Sequence, residues 1–302
     1  MGNIPILNVS GQSLPEAWEK ALLAVWEQGV DVETEYDRPE DSPSRDATVI
    51  VEVRDPFSEP RIHKNFPGGP QELEIYRQEV VEGIHDHWID PTAGKWTYTY
   101  SDRLFNYTVS DELKNPNGAR PFAPVNQIEY LIEKLVEQPF SRRAQAITWM
   151  PTTDPKTDDS PCLQRVWARI LPDEGLRPGG STDPAGGELV LSLNAHWRSR
   201  DLYKAWFMNV YALTDLQRII AEEVSRRLVR KVKVGRYVDI SDSLHLYGAY
   251  FDEIEPELRK MKADPDYTKR AWRSDYSAFA RMVEETRERL KENPDFMVES
   301  SM

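Results

Sequence analysis

The residue types that could carry out chemistry in this chain are ordered around a single cysteine. Cys162 has no second cysteine with which to form a disulfide, so it is either a small buried apolar residue or a working thiol. The polar segments around it in the sequence are Arg142-Arg143, Arg198-Ser199-Arg200-Asp201, Asn209 and His245-Leu246-Tyr247. A thiolate is a nucleophile and guanidinium groups bind anions. These residue types would therefore suit covalent catalysis on an anionic substrate if the fold assembles them around Cys162.

The charge of the chain disfavours two classes of partner. Lys+Arg 38 against Asp+Glu 51 gives a formal net charge of -13, which argues against nucleic acid and against an anionic membrane. Positive charge that holds an anionic ligand must therefore be local. The segment from Met1 to Val9 lacks a signal-peptide pattern, and no apolar run approaches a membrane span of about 18 residues. Together with the single cysteine, these features favour a cytoplasmic protein.

Local patterns predict the elements that must position these residues. A capping box from Ser13 to Glu16 is typical of a helix start, Gly29 of a helix end, and the β-branched run over residues 47–54 of a strand. The other predicted helices cover residues 70–83, 123–138, 201–230 and 250–293, and the other predicted strands cover residues 143–150, 163–171, 188–197 and 231–239. Residues 172–187, rich in Gly, Pro and Asp, are expected to form a surface loop. The chain is therefore expected to be one α+β domain over residues 1–302, with a mixed β-sheet flanked by helices.

Taken together, these segments resemble the folate-dependent thymidylate synthases and their pyrimidine hydroxymethylase relatives, in a divergent archaeal and bacterial branch. The motifs that carry the resemblance are Ser141-Arg142-Arg143, Pro161-Cys162, Arg198-Ser199-x-Asp201 followed by Asn209, and His245-x-Tyr247. The resemblance implies a homodimer formed through one face of the sheet, with no metal. The implied reaction is the reductive methylation of dUMP to dTMP, with 5,10-methylenetetrahydrofolate or a tetrahydromethanopterin analogue as co-substrate.

The implied chemistry explains the need for a thiol. C5 of uracil is a weak nucleophile, and addition of a thiolate at C6 makes C5 enolate-like. The resemblance makes Cys162 this thiolate. It makes Arg198 the cation that favours the ionised thiol and also binds the nucleotide phosphate.

Proton transfer is the part of the chemistry that the motifs define least. Tyr100 matches a tyrosine of the family's folate and proton-relay region. The family also uses a glutamate on the helix predicted over residues 70–83, and Glu72, Glu74 and Glu79 all qualify by type. We choose Glu74, although an ungapped match places Tyr76 at that position.

The phosphate is a doubly charged anion, which planar bidentate donors suit well. The resemblance implies that Arg142 and Arg143 reach across the dimer interface to the partner's phosphate and that Ser199 adds a hydroxyl. Arg45 resembles the family's mobile phosphate-loop arginine. It could equally be a loop arginine paired with an acidic neighbour.

The base, the sugar and the pterin have separate candidate residues. The amide of Asn209 can donate to uracil O4 and accept from N3–H, so we favour uracil over cytosine, provided that neighbours lock the amide. His245 and Tyr247, two apart in an extended segment, would share one face and hold the sugar 3′-hydroxyl. By resemblance Asp201 meets the pterin ring, and Trp88 is the candidate to stack on it, although a core role for this tryptophan is the simpler interpretation.

Three features depart from the family pattern. Leu163 follows the cysteine where common members carry His, Gln164-Arg165 form a polar pair beside it, and Phe296 to Met302 lack the small apolar tail. What excludes water is therefore undefined, and water in place of hydride would give a nucleotide 5-hydroxymethylase acting on dUMP, dCMP or CMP. A more remote alternative is a non-catalytic nucleotide-binding protein.

Overall fold

The structure is a computed structural model that describes residues 3–108, 123–173 and 187–298. Within this part of the chain the strands are β1 (Ile6–Gly11), β2 (Val30–Val32), β3 (Ser44–Val53), β4 (Ile62–His63), β5 (Gln145–Ile147), β6 (Leu163–Pro172), β7 (Leu189–Trp197), β8 (Arg200–Asp201), β9 (Val232–Leu246) and β10 (Ala271–Trp272). The helices are α1 (Leu14–Gln28), α2 (Pro70–Glu82), α3 (Tyr100–Phe105), α4 (Gln127–Glu137), α5 (Trp206–Leu228), α6 (Phe251–Ala263) and α7 (Ser277–Glu292).

The chain divides into two compact units that alternate along the sequence. Among the described residues, the first unit contains 3–76, 196–214 and 236–298, and the second contains 77–108, 123–173, 187–195 and 215–235. Both α5 and β9 contribute residues to each unit. The single domain expected over residues 1–302 stays a prediction.

The first unit contains a mixed sheet. β1 runs parallel to β3, β2 and β9 run antiparallel to β3, and β8 runs parallel to β9. Alternate residues of β3, such as Val49 and Val51, are fully buried, as expected for a β-branched run with one face in the core. α1 packs against β1 and β3. Its N-cap Ser13 accepts a hydrogen bond from the Glu16 backbone N–H at 3.4 Å, which confirms the predicted helix start.

The second unit contains β5, β6 and β7 as neighbours, with β5 antiparallel to β6. Along β6 the predicted alternation is observed, with Val166 and Ala168 fully buried. α4 packs against β5 and β6, and its buried stripe consists of Ile128, Leu131, Ile132 and Leu135. The predicted α+β class with a mixed sheet flanked by helices is therefore confirmed.

Several elements differ from those expected. β1 was not predicted, β5 covers only Gln145–Ile147 of the strand expected over residues 143–150, β9 extends beyond the expected end at residue 239 to Leu246, and α5 begins at Trp206 instead of residue 201. Residues 174–186 of the expected surface loop and residues 299–302 of the C-terminal segment lie outside the described residues, as do residues 1–2. No helix of the described residues is long and apolar enough to cross a membrane.

Candidate active site

A two-residue strand brings the predicted pterin residue beside the predicted sugar-binding residue. β8 pairs with β9 so that Asp201 lies opposite His245 in register. The backbone N–H of Leu202 then donates to the His245 carbonyl at 2.9 Å, which extends the pairing by one residue. Asp201 and His245 are distant in sequence, and the sheet register is what joins them.

Arg200, to which the sequence assigned no role, anchors this short strand. Its side chain is 2% exposed and forms an ion pair with the fully buried Asp239. Its Nη2 also donates to Ser241 Oγ at 3.3 Å, and its guanidinium lies 4.1 Å from the ring centroid of Trp197. Because successive strand side chains point to opposite faces, burial of Arg200 directs Asp201 to the other face.

His245 is buried and electrically neutral. Its imidazole is held by a 3.3 Å hydrogen bond between Nδ1 and Ser243 Oγ, and Ser243 Oγ in turn donates to Asp46 Oδ2 at 2.8 Å. Burial lowers the pKa of His245 to about 4, and the charge of Asp37 opposes that shift. Nε2 is buried and has no hydrogen-bond partner among the described residues. The ring can therefore offer Nε2 to a ligand hydroxyl.

Tyr247 lies next to His245, as expected for two residues that share one face. The two ring centroids are 4.6 Å apart with the rings nearly perpendicular. Tyr36 and Tyr250 also present their ring edges or faces to Tyr247, at 6.4 Å and 5.9 Å between centroids. Aromatic contacts thus hold the Tyr247 ring from several sides.

Arg45 lies inside β3 rather than in the loop that was expected before the strand. Its Nε is 3.3 Å from Asp31 Oδ1, and its guanidinium is 4.8 Å from the ring centroid of Trp26. Arg45 also donates to the Trp26 carbonyl oxygen. The acidic partner matches the simpler of the two expectations, and a role in phosphate binding stays a prediction.

Arg198 and Ser199 form the turn between β7 and β8, where both are partly exposed. Asp201 follows, and its Oδ1 accepts hydrogen bonds from the backbone N–H groups of Tyr203 at 2.8 Å and Lys204 at 3.0 Å. Burial raises the pKa of Asp201, while these two hydrogen bonds oppose the shift. The carboxylate therefore helps to shape the turn that leads into α5.

Asn209, the predicted base reader, is held by a residue that was not chosen from the sequence. Its side chain lies in the first turns of α5, where it is 6% exposed, and its Nδ2 donates to Tyr76 Oη at 2.5 Å. Glu74 is buried and accepts from Arg287 Nε at 2.8 Å. Two positions along a helix are about 200° apart, so Glu74 and Tyr76 point in opposite directions from α2. Tyr76, rather than Glu74, is the α2 residue that contacts Asn209.

In the second unit, Cys162 is a partly buried thiol just before β6 and forms no disulfide. The backbone N–H of Leu163 donates to Tyr100 Oη at 3.3 Å, so the Tyr100 hydroxyl lies beside the residue that follows the cysteine. Burial raises the pKa of Tyr98 well above its usual range, and the nearby Tyr100, Asp159 and Cys162 add to the shift. Tyr98 is therefore a neutral phenol close to the thiol.

Arg165 behaves as its alternation with Val166 allows. Val166 is fully buried and Arg165 is exposed, which supports the interpretation of Arg165 as a surface residue. Gln164 Nε2 donates to the Pro161 carbonyl at 2.9 Å and thereby braces the turn that carries Cys162.

Trp88 belongs to an aromatic cluster. Its ring stacks on the buried His85, with centroids 3.7 Å apart, and meets the edge of Trp96 at 4.9 Å. His85 Nδ1 is 2.8 Å from Glu79 Oε2, which orients the imidazole. Since one face of Trp88 is covered by His85, a pterin would have to use the opposite face.

Arg142 and Arg143 are exposed and lie together on a groove of the second unit. The groove has a volume of about 420 Å³ and includes the partly exposed apolar side chains of Val125, Tyr130 and Ile147. Exposed apolar groups beside cations are the residue types of a protein interface. This setting is compatible with arginines that serve a second protomer.

The predicted residues are divided between the two units. The first unit holds Asn209, Asp201, His245, Tyr247, Arg198, Ser199, Arg45 and Glu74, and the second holds Cys162, Tyr100, Trp88, Arg142 and Arg143. Tyr76 and Arg200 were missed because their partners, Asn209 and Asp239, are far away in the sequence. The ungapped match that pointed to Tyr76 was the one signal that could have found it. Within the described residues, no group of three or more His, Cys, Asp or Glu side chains is arranged to hold a metal ion.

Comparison with known proteins gives a consistent result. A family model described as thymidylate synthase matches residues 70–284. Proteins named putative thymidylate synthase from Methanosarcina acetivorans and Methanocaldococcus jannaschii are 29% and 28% identical, over 82% and 80% of this chain and 92% and 91% of their own lengths. The solved structure of thermostable thymidylate synthase A from Bacillus subtilis matches with a TM-score of 0.54 at 18% identity, covering 82% of this chain and 84% of that chain. At that identity the structural likeness shows the fold alone.

Proposed function

We propose that this chain, which belongs to the thymidylate synthase family, catalyses the reductive methylation of dUMP at C5 to give dTMP. The observation that carries the proposal is the setting of Cys162. It is a partly buried thiol just before β6, outside any disulfide, and the Tyr100 hydroxyl accepts the next backbone N–H at 3.3 Å. A thiol in an ordered turn, next to phenol groups that can move protons, suits covalent catalysis.

In the proposed reaction Cys162 supplies the electron pair. Its thiolate adds to C6 of uracil, the electron pair of the C5–C6 double bond moves toward C5 and O4, and C5 becomes nucleophilic. C5 would then form a bond to the one-carbon unit of the pterin, and loss of the C5 proton with cleavage of the carbon–nitrogen bond to the pterin would leave an exocyclic methylene at C5. Hydride from the reduced pterin would convert this methylene into the methyl group, expel the thiolate from C6, restore the C5–C6 double bond and leave the pterin oxidised to its dihydro form. Arg198 is proposed to favour the thiolate by its positive charge and to bind the phosphate.

The proposed nucleotide contacts agree with the chemistry of the first unit. Asn209 would donate from Nδ2 to uracil O4 and accept from N3–H at Oδ1. His245 is neutral, and its Nδ1–H donates to Ser243 Oγ because that hydroxyl donates to Asp46; the buried Nε2, which has no partner among the described residues, would accept one hydrogen bond from the 3′-hydroxyl beside Tyr247. A buried polar atom without a protein partner is costly, and a ligand hydroxyl would relieve that cost.

The phosphate is assigned to arginines. Ser199 and Arg198 would bind it within one chain, and Arg142 and Arg143 would reach the phosphate held by the partner protomer of a homodimer. Their exposure beside apolar side chains in the groove supports this part of the proposal. Arg45 would bind the phosphate only if its ion pair with Asp31 were replaced by one with the phosphate.

The reduced pterin co-substrate, 5,10-methylenetetrahydrofolate or a tetrahydromethanopterin analogue, would supply the one-carbon unit and the hydride. Asp201 is proposed to accept N–H groups of its ring, and Trp88 to stack on it with the face opposite His85. Tyr100 and Glu74 are proposed proton carriers. The Glu74 carboxylate is paired with Arg287, so this assignment requires the pair to open.

One assay tests the proposed function directly. The protein is incubated with dUMP and 5,10-methylenetetrahydrofolate, and the nucleotide products are identified by mass. A methylated product supports the proposal, whereas a hydroxymethylated product would identify a nucleotide 5-hydroxymethylase in which water replaces hydride. Binding of dUMP without any product would favour a non-catalytic nucleotide-binding protein.

The covalent step has its own test. Cys162→Ser is expected to abolish turnover and leave dUMP binding within about twofold, since a serine hydroxyl does not ionise near neutral pH. Arg165→Ala, at an exposed position on the same strand, is the control and should keep wild-type turnover. Turnover retained by Cys162→Ser would exclude the proposed mechanism.

A further inference from the structure

We infer that Tyr76 determines the base specificity of this site, because its hydroxyl holds the Asn209 amide in the orientation that reads uracil. The inference rests on the proposed function, in which Asn209 reads the pyrimidine. The ungapped match placed Tyr76 at the position of a proton-relaying glutamate and not beside Asn209, and the geometry of α2 and α5 is what brings the two side chains together.

The contact is short and withdrawn from solvent. Asn209 Nδ2 donates to Tyr76 Oη at 2.5 Å, and the Asn209 side chain is 6% exposed. Both residues belong to the first unit. Breaking this hydrogen bond would leave a buried N–H unpaired, which costs more than the same loss would at a surface.

Amide orientation is the property that separates the two bases. Uracil presents an acceptor at O4 and a donor at N3, while cytosine presents a donor at N4 and an acceptor at N3. An asparagine amide matches uracil in one orientation and cytosine after a 180° flip. With one N–H of Nδ2 directed at Tyr76, the second N–H of Asn209 and its Oδ1 are left for the base, which is the uracil pattern.

The other candidate on α2 does not compete for this role. Glu74 accepts from Arg287 at 2.8 Å on the opposite side of the helix. The group that touches Asn209 is therefore a phenol, which can accept or donate, rather than a carboxylate, which can only accept. Tyr76 thus restrains the Asn209 amide by one hydrogen bond and would allow a flip at the cost of rearranging its own proton.

This mechanism predicts different effects of two substitutions on base preference. Tyr76→Phe removes the acceptor, so the ratio of the dCMP to the dUMP dissociation constant should fall about fivefold to tenfold. Tyr76→Glu offers an acceptor-only group, so the same ratio should stay at the wild-type value or rise. If Tyr76 had a purely structural role, each substitution would weaken the binding of dUMP and of dCMP equally and leave the ratio of their dissociation constants unchanged.

The test is calorimetric binding of dUMP and of dCMP, each alone, to the full chain. The control is Tyr203→Phe, which removes the same atom from a buried tyrosine whose hydroxyl donates to Glu253 at 2.9 Å. Asn209→Asp serves as the variant in which base preference should move toward cytosine. Circular dichroism and thermal unfolding check that each variant is folded.

The outcomes separate this inference from the proposed function. A reduced ratio for Tyr76→Phe, with Tyr203→Phe unchanged, supports the role of Tyr76. A wild-type ratio in Tyr76→Phe, a lowered ratio in Tyr76→Glu, or a wild-type protein that binds both nucleotides equally would overturn it while the enzyme could still turn over dUMP. If the wild type binds neither nucleotide, the proposed function fails and this inference falls with it.

Discussion

At the scale of single residues, His245 shows how burial prepares a group for its proposed ligand. A charged imidazole at this position would be attractive to a phosphate but would also cost desolvation energy. Burial lowers the pKa of His245 to about 4, so the ring is neutral near pH 7 and offers a single lone pair at Nε2. A neutral ring suits a sugar hydroxyl better than it suits a phosphate.

The shifted pKa gives a signed prediction for stability. The unfolded imidazole has a pKa of 6.5 and the folded one about 4, so the unfolded state binds more protons between these values. The contribution of the neutral His245 ring to the free energy of unfolding is therefore fully present above pH 6.5 and falls as pH decreases toward 4. The expected loss in the free energy of unfolding between about pH 7.5 and about pH 5 is about 2 kcal/mol.

Urea unfolding of the wild type and of His245→Gln at both pH values measures this loss. The acidic neighbours Asp37 and Asp46 are present in both proteins, so the part of their titration that does not depend on His245 is the same in each. The glutamine variant should lose less stability on acidification than the wild type. Equal losses in the two proteins would show that His245 is not the source of the pH dependence.

At the scale of elements, β8 depends on a buried ion pair for its position. The guanidinium of Arg200 and the carboxylate of Asp239 are both removed from water, and Tyr237 donates to Asp239 Oδ2 at 3.0 Å. Breaking such a pair leaves one uncompensated charge, whereas replacing both members removes the charges together. The pair therefore offers a way to separate the stability of β8 from its function.

Arg200→Met or Asp239→Leu alone is expected to lower the free energy of unfolding by about 3–5 kcal/mol. The double variant should lose less than either single variant. It should still show a raised KM for dUMP, because Ser199 and Asp201 lose the anchor between them.

The control is Arg273→Ala, which breaks the exposed 2.6 Å pair with Asp275 and should change neither the free energy of unfolding nor the KM for dUMP. A double variant with wild-type KM would show that the pair contributes stability only.

The elements also show which parts of the fold and of the site could be predicted from the sequence. α1 and β6 were predictable because capping and alternation are local, as Ser13 and Val166 illustrate. The second half of β9 was not, because its buried polar residues Ser241 and His245 meet Arg200 and β8 only in the folded sheet. The same limit applies to the Tyr76–Asn209 contact, which joins two helices across a long sequence separation.

At the scale of the whole molecule, the net charge of -13 sets a condition for binding an anion. The average field repels a nucleotide, so recognition depends on clustered arginines. Arg142 and Arg143 are such a cluster, and they are exposed beside the apolar side chains of the groove. If the homodimer is symmetric, each protomer would both give and receive these arginines.

Mixing two inactive variants tests whether these arginines act on the partner's nucleotide. One variant carries Cys162→Ser, and the other carries Arg142→Glu together with Arg143→Glu. In a heterodimer one site would receive both lesions and the other would receive neither. Random exchange of protomers makes about half of the dimers heterodimers, so about a quarter of wild-type turnover should return. A mixture of Cys162→Ser with Cys162→Ala should stay inactive. Absence of recovery in an exchanged mixture, with dimer formation verified by light scattering, would mean that Arg142 and Arg143 act within their own chain.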